Sequence, residues 1–110
     1  MEIKIGKKIV LKKICDCKFL RSFIGLMFRK SFSPYEAFFI YMPFDAMITS
    51  YFVRFSFIAI WLDKDYNILK IKKCIPNKLF PSVKNQKYVL ELPLFFEKKI
   101  KKENKIKVIR

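Results

Sequence analysis

A chain of 110 residues has the length of one ordinary domain, and its 53% hydrophobic content, with 13 phenylalanines and 5 tyrosines, excludes a disordered segment. Its formal charge of +15 comes from 24 cations, 20 of them lysine, against 9 carboxylates. Histidine is absent and there are only two glycines, which excludes Ser-His and Cys-His nucleophilic catalysis and leaves no Gly-rich phosphate loop.

The first residues, "MEIKIGKKIVLKKI", alternate Ile3, Ile5, Ile9 and Leu11 with lysines, the period-2 pattern of half-buried strands. Glu2, Lys4, Lys7, Lys8, Lys12 and Lys13 interrupt any apolar run, so no signal peptide is expected and a cytoplasmic location follows. Cys15-Asp16-Cys17 is the one cluster of soft ligands. In an extended strand the two thiols share a side about 7 Å apart. Cys74 is a third thiol, but structural zinc normally takes four ligands and no fourth cysteine or histidine exists. Free, buried thiols are expected, with no metal and no cofactor.

From Lys18 to Arg29, Phe19, Leu20, Phe23, Ile24, Met27 and Phe28 recur at spacings of three and four, which predicts about three turns of helix. Gly25 costs roughly 1 kcal/mol relative to alanine inside a helix, so it marks close packing or the helix end. Ser31 to Pro34 reads as a loop, Ala37 to Met42 as a buried strand, and Pro43 to Met47 as a turn. Ile48 to Leu62 reads as one bent strand or two. The whole of Ala37 to Leu62 is apolar, but Asp45 and Arg54 cut it into uncharged runs of eight residues. A spanning helix needs roughly 20, so no membrane span is expected.

Asp63 to Asn67 supplies a turn whose carboxylates bond local backbone. Tyr66 to Ile75 alternates imperfectly. Pro76 to Gln86, with two prolines and two asparagines, reads as a long loop. Lys87 to Leu92 reads as a strand stopped by Pro93, Leu94 to Lys102 as a short helix, and Lys105 to Ile109 as a last strand. One domain spanning 1–110 is expected.

Three groups of residues carry candidate chemistry. Glu91, in "YVLELP", points opposite to Leu90 and Leu92, toward solvent, a partner cation or a functional pocket. The basic residues Lys70, Lys72, Lys73 and Lys78, with the C-terminal lysines, are candidate phosphate contacts. Arg54, between Val53 and Phe55, is a candidate groove or partner contact. The aromatic-rich segment 31–63 carries −2, whereas 1–30, 64–88 and 89–110 carry +7, +6 and +4. That segregation favours aromatics in the core over an exposed stacking platform.

"FLRSFIGLMFRK" at Phe19 to Lys30 and "KYVLELP" at Lys87 to Pro93, with "SYFVRFSFIAIWLDKDYNILKI" between them, resemble the recognisable stretches of the domain of unknown function 192 family. The resemblance runs from Cys17 to Ile109 and implies a small, mainly antiparallel β-sandwich or compact barrel with one or two short helices. It implies no established activity, and its wording is more similar to archaeal cytoplasmic members than to exported bacterial ones. Several polar positions of the family differ here: Ser56-Phe57-Ile58 stand where it carries Pro-hydrophobic-Asp, Thr49-Ser50 where it carries His-Met, and Phe95 and Glu103-Asn104 replace glycine turns. The expected function is therefore a non-catalytic ligand-binding or interaction module. The alternatives are a basic nucleic-acid-binding domain and, more remotely, an enzyme pairing Glu91 with Arg29.

Overall fold

The computed structural model describes residues 1–17, 30–42 and 46–110. The helical face read over Lys18 to Arg29, including Gly25 and the candidate Arg29, lies outside them, as does most of the Pro43 to Met47 turn.

The described residues form ten strands in chain order: β1 (Glu2–Ile5), β2 (Ile9–Leu11), β3 (Ile14–Cys17), β4 (Ala37–Tyr41), β5 (Ile48–Thr49), β6 (Phe57–Leu62), β7 (Ile68–Cys74), β8 (Leu79–Phe80), β9 (Tyr88–Pro93) and β10 (Ile106–Ile109). They form a five-stranded sheet in the order β3-β4-β9-β6-β7, a three-stranded sheet β10-β1-β2, and the short pair β5-β8. All pairings are antiparallel except β3 with β4.

The five-stranded sheet is the central layer, and both of its faces are covered. One face carries Phe38, Ile40, Phe57, Ala59, Trp61 and Val89, packed with Phe32, Ile48, Val53 and Phe80 from the loops and from β5-β8. The other carries Phe39, Ile58, Ile60, Leu90 and Leu92, packed with Ile3, Ile5, Leu11 and Ile106 of the three-stranded sheet. Covering both faces removes the polar side of the pleat, so β6, "FIAIWL", is buried at all six positions. Each large apolar side chain among them contributes roughly 1.5–3 kcal/mol by leaving water.

The fold is thus mainly β and a layered sandwich; β3 and β7 are edges that do not meet, so no barrel closes. Ile48 to Leu62 makes two strands, β5 and β6, separated by a turn. Two expectations are corrected. The Leu94 to Lys102 helix is a single 3₁₀ turn at Leu94–Phe96 followed by further turns, because Pro93 ends β9 and Ile100 must reach back into the core. The Pro76 to Gln86 loop contains β8, which pairs with β5. Among the described residues, no helix is long and apolar enough to cross a membrane; the apolar stretch from Ala37 is spent on β4, β5 and β6.

Candidate functional site

The register of the five-stranded sheet aligns one continuous row of residues on a single face: Cys15, Phe38, Glu91, Ala59 and Lys72. Glu91 occupies the middle of this row, on the central strand β9. The alternation in "YVLELP" does turn it away from Leu90 and Leu92, but the opposite face is also core, and Glu91 is only 5% exposed. Its neighbour Ala59 carries only a methyl and is flanked along β6 by the far larger Phe57 and Trp61.

Nothing in the described protein answers this carboxyl. Oε1 of Glu91 is buried without a hydrogen-bond partner, and so is Nε1 of Trp61. Glu91 faces Ala59, and Trp61 faces Val89, so the two side chains are diagonal neighbours on one face of the β6-β9 ladder. Desolvation pushes the Glu91 carboxyl up to about 8, so at neutral pH it is largely a neutral acid with one O–H to donate. The thiol of Cys74, at the edge of the same face, is pushed up to about 12, first by burial and then by the charge that Glu91 would carry.

Trp61 is 1% exposed. Lys70 lies directly opposite it on β7, with Nζ 5.7 Å from the ring centroid, so the lysine stem roofs the indole while its ammonium stays in water. Phe32 contacts Phe38 edge-on and Phe55 at a tilt, each at 5.6 Å between centroids, and Tyr35 meets Phe38 at 5.5 Å. The surroundings of Glu91 are therefore aromatic.

The other candidates are dispersed. Lys70 and Lys72 share the Trp61 face of β7, whereas Lys73, opposite Ile58, leaves from the other face. Lys78 is exposed beyond the strand, its backbone tied to Ser50. Arg54 is exposed on the turn between β5 and β6. Arg29 lies outside the described residues, so its pairing with Glu91 has no geometry here. Cys15 and Cys74 sit on β3 and β7, the two opposite edges of the sheet, roughly 19 Å apart at about 4.8 Å per strand. Among the described residues no cluster of three metal-ligating side chains occurs. The Asp63 carboxylate accepts the N–H groups of Asp65 and Asn67, both at 2.9 Å, the local turn bonding its sequence suggested.

Two buried polar groups carried no sequence signal as such. Trp61 read only as core, because an unmatched N–H is invisible without its surroundings. Ser50 is fully buried: its hydroxyl donates to the Ile75 carbonyl at 2.6 Å and accepts the Lys78 N–H at 2.8 Å.

A layered β-sandwich with an unanswered carboxyl at the centre of its main sheet is the class these observations define. The chain belongs to the domain of unknown function 192 family, described as an uncharacterized ACR, whose profile it matches over residues 3–108. Among solved structures it is similar to a protein of unknown function from Novosphingobium aromaticivorans, at 17% identity and a TM-score of 0.82, covering 97% of this chain and 84% of that one. It is also similar to a protein from Sinorhizobium meliloti described as a "putative transcription regulator", at 14% identity and a TM-score of 0.81, covering 96% and 91%. At those identities the likeness concerns the fold. No curated protein matches the chain.

Proposed function

We propose that this chain is a small ligand-binding module whose site is the Glu91 face of the central sheet. The observation that carries the reading is the pair of unanswered buried polar atoms, Oε1 of Glu91 and Nε1 of Trp61, in aromatic surroundings. A buried polar group without a partner costs roughly 1–3 kcal/mol. A bound molecule that supplies the partner recovers that cost, and such pockets combine apolar walls with a few convergent polar groups. The matching ligand is small and largely apolar, with a hydrogen-bond acceptor for the Trp61 N–H and the neutral Glu91 acid. No nucleophile or general base besides Glu91 belongs to the described part of this face at its centre, so the reading is binding rather than turnover.

Trp61 is the single tryptophan, so its emission reports the site without a label. The test is a screen of small apolar carbonyl compounds, read by Trp61 fluorescence and thermal shift, against wild type and Glu91→Leu. Compounds that shift emission and raise the wild-type melting temperature, and do neither with Glu91→Leu, support the reading. Ligands that act equally on both proteins, or a screen in which no compound moves either signal, would remove it.

A further inference from the structure

A second charge anomaly lies on the three-stranded sheet, away from Glu91. The register of β1 with β10 places Lys4 directly opposite Lys107, both exposed on the outer face. Like charges at such a position repel. The turn after β1 adds Lys7 and Lys8, and the segment before β10 adds Lys99 and Lys105.

A tight approach brings these two groups together. Gly6 adopts φ +60, and a Cβ there would lie 3.2 Å from the Asn104 side chain. The Gly6 N–H donates to the Lys105 carbonyl at 2.8 Å, and Asn104 accepts the Lys101 N–H at 2.7 Å. The turn that carries Lys7 and Lys8 is thereby locked against the C-terminal turn. A depression of about 550 Å³ forms between them, lined by Lys7, Lys8, Lys99, Lys105 and Glu103. A second, of about 560 Å³, continues along β2 and shares Lys8, Ile9 and Lys99. Its one carboxylate, Glu36, is already engaged by the backbone N–H groups of Lys12 and Lys13 at 2.8 and 2.9 Å. At the rim, Phe95 is 67% exposed, with the Lys99 ammonium 3.6 Å from its centroid.

We propose that this groove binds a single strand of nucleic acid by its phosphodiester backbone, without sequence preference. Lys7, Lys8, Lys99 and Lys105, which line the groove, contact phosphates, while Lys4 and Lys107 on the outer face of the same sheet add to the positive field that draws the strand in. When Lys99 turns to a phosphate it uncovers the Phe95 ring for a base, the combination of cation track and stacking surface that unspecific single-strand binders use. A continuous groove fits a flexible strand, whereas an anionic bilayer presents a plane. The inference is independent of the Glu91 ligand reading.

The test is fluorescence anisotropy of labelled oligo(dT) of about 20 nucleotides, titrated across salt. Three proteins are compared: wild type, the combined variant Lys7→Gln, Lys8→Gln, Lys99→Gln, Lys105→Gln, and the control Lys70→Gln, Lys72→Gln, Lys73→Gln on the far edge strand. Circular dichroism melts establish that each is folded. The expected result is wild-type binding whose salt slope falls by about 0.7 for each phosphate that the groove variant no longer neutralises, with at least a tenfold weaker Kd at low salt. The control stays within a factor of two or three of wild type. Equal weakening in both variants would mean diffuse charge and overturn the proposal. So would no wild-type binding to the strand, including the case where phosphatidylserine vesicles bind instead.

Discussion

Glu91 and Trp61 are diagonal neighbours on one face of the β6-β9 ladder, and each holds a buried polar atom that no described protein group answers. The acid is therefore kept protonated by its surroundings rather than ionised by a partner. Folded, it releases its proton at about 8; unfolded, at its ordinary 4.5. The folded state binds the extra proton between those values. Its stabilising effect is complete below about pH 4.5 and is lost as pH rises, by up to about 1.4 kcal/mol per pH unit. Melting temperatures of wild type and Glu91→Gln, followed from about pH 5 to about pH 8.5, should diverge, with wild type losing ground at the alkaline end. Parallel curves would show that Glu91 ionises freely.

Cys74 is fully buried and its thiol is raised to about 12. Thiolate is the nucleophile in alkylation, so iodoacetamide at mildly alkaline pH should leave Cys74 unmodified in the folded protein and modify it fully in denaturant. Peptide mapping by mass spectrometry reads this directly. Rapid native modification of Cys74 would contradict the packing of β7 against β6.

Ser50 joins two turns. Its hydroxyl bridges Ile75 and Lys78, and its carbonyl accepts the N–H groups of Val53 at 3.1 Å and Asn77 at 3.0 Å. Ser50→Ala leaves the Lys78 N–H and the Ile75 carbonyl without that partner and should cost about 1–3 kcal/mol in urea unfolding. A cost below about 0.5 kcal/mol would place water, not Ser50, at this junction.

Lys107→Glu replaces the Lys4–Lys107 repulsion with an attraction. It should stabilise the fold by about 0.2–1 kcal/mol at low ionic strength, with the gain shrinking as salt is added. The same change weakens binding of a polyanion, so thermal melting and oligonucleotide affinity should move in opposite directions. A destabilised Lys107→Glu protein would show that the two lysines do not face each other.

Strands were legible wherever composition alone decided them: the isoleucine-lysine alternation of β1 and β2, and the unbroken apolar run of β6. The family resemblance was legible from short stretches in a fixed order. The parts that escaped depend on what covers a strand. Glu91 was placed opposite Leu90 and Leu92 correctly, yet alternation cannot tell whether the second face meets water or another layer. For the same reason the lysines of β7 looked like one cluster along the chain, although the pleat sends Lys73 to the opposite face from Lys70 and Lys72. The lysines that do converge, Lys7 and Lys8 with Lys99 and Lys105, are some ninety residues apart in sequence and meet only because Gly6 lets the two turns touch.

The pairing of Glu2 with Ile109 also dictates when the molecule can finish folding. Strand β10 follows in sequence every strand whose face its sheet covers, so part of the face formed by Ile60, Leu90 and Leu92 stays uncovered until β10 pairs with β1. Closing a contact between residues about a hundred positions apart carries a large loop entropy, and topologies dominated by such distant pairings fold in milliseconds to seconds rather than microseconds. During that interval the apolar second face is the surface a chaperone would shield, and the lysine-rich strands that later cover it keep the unfinished chains apart by mutual repulsion.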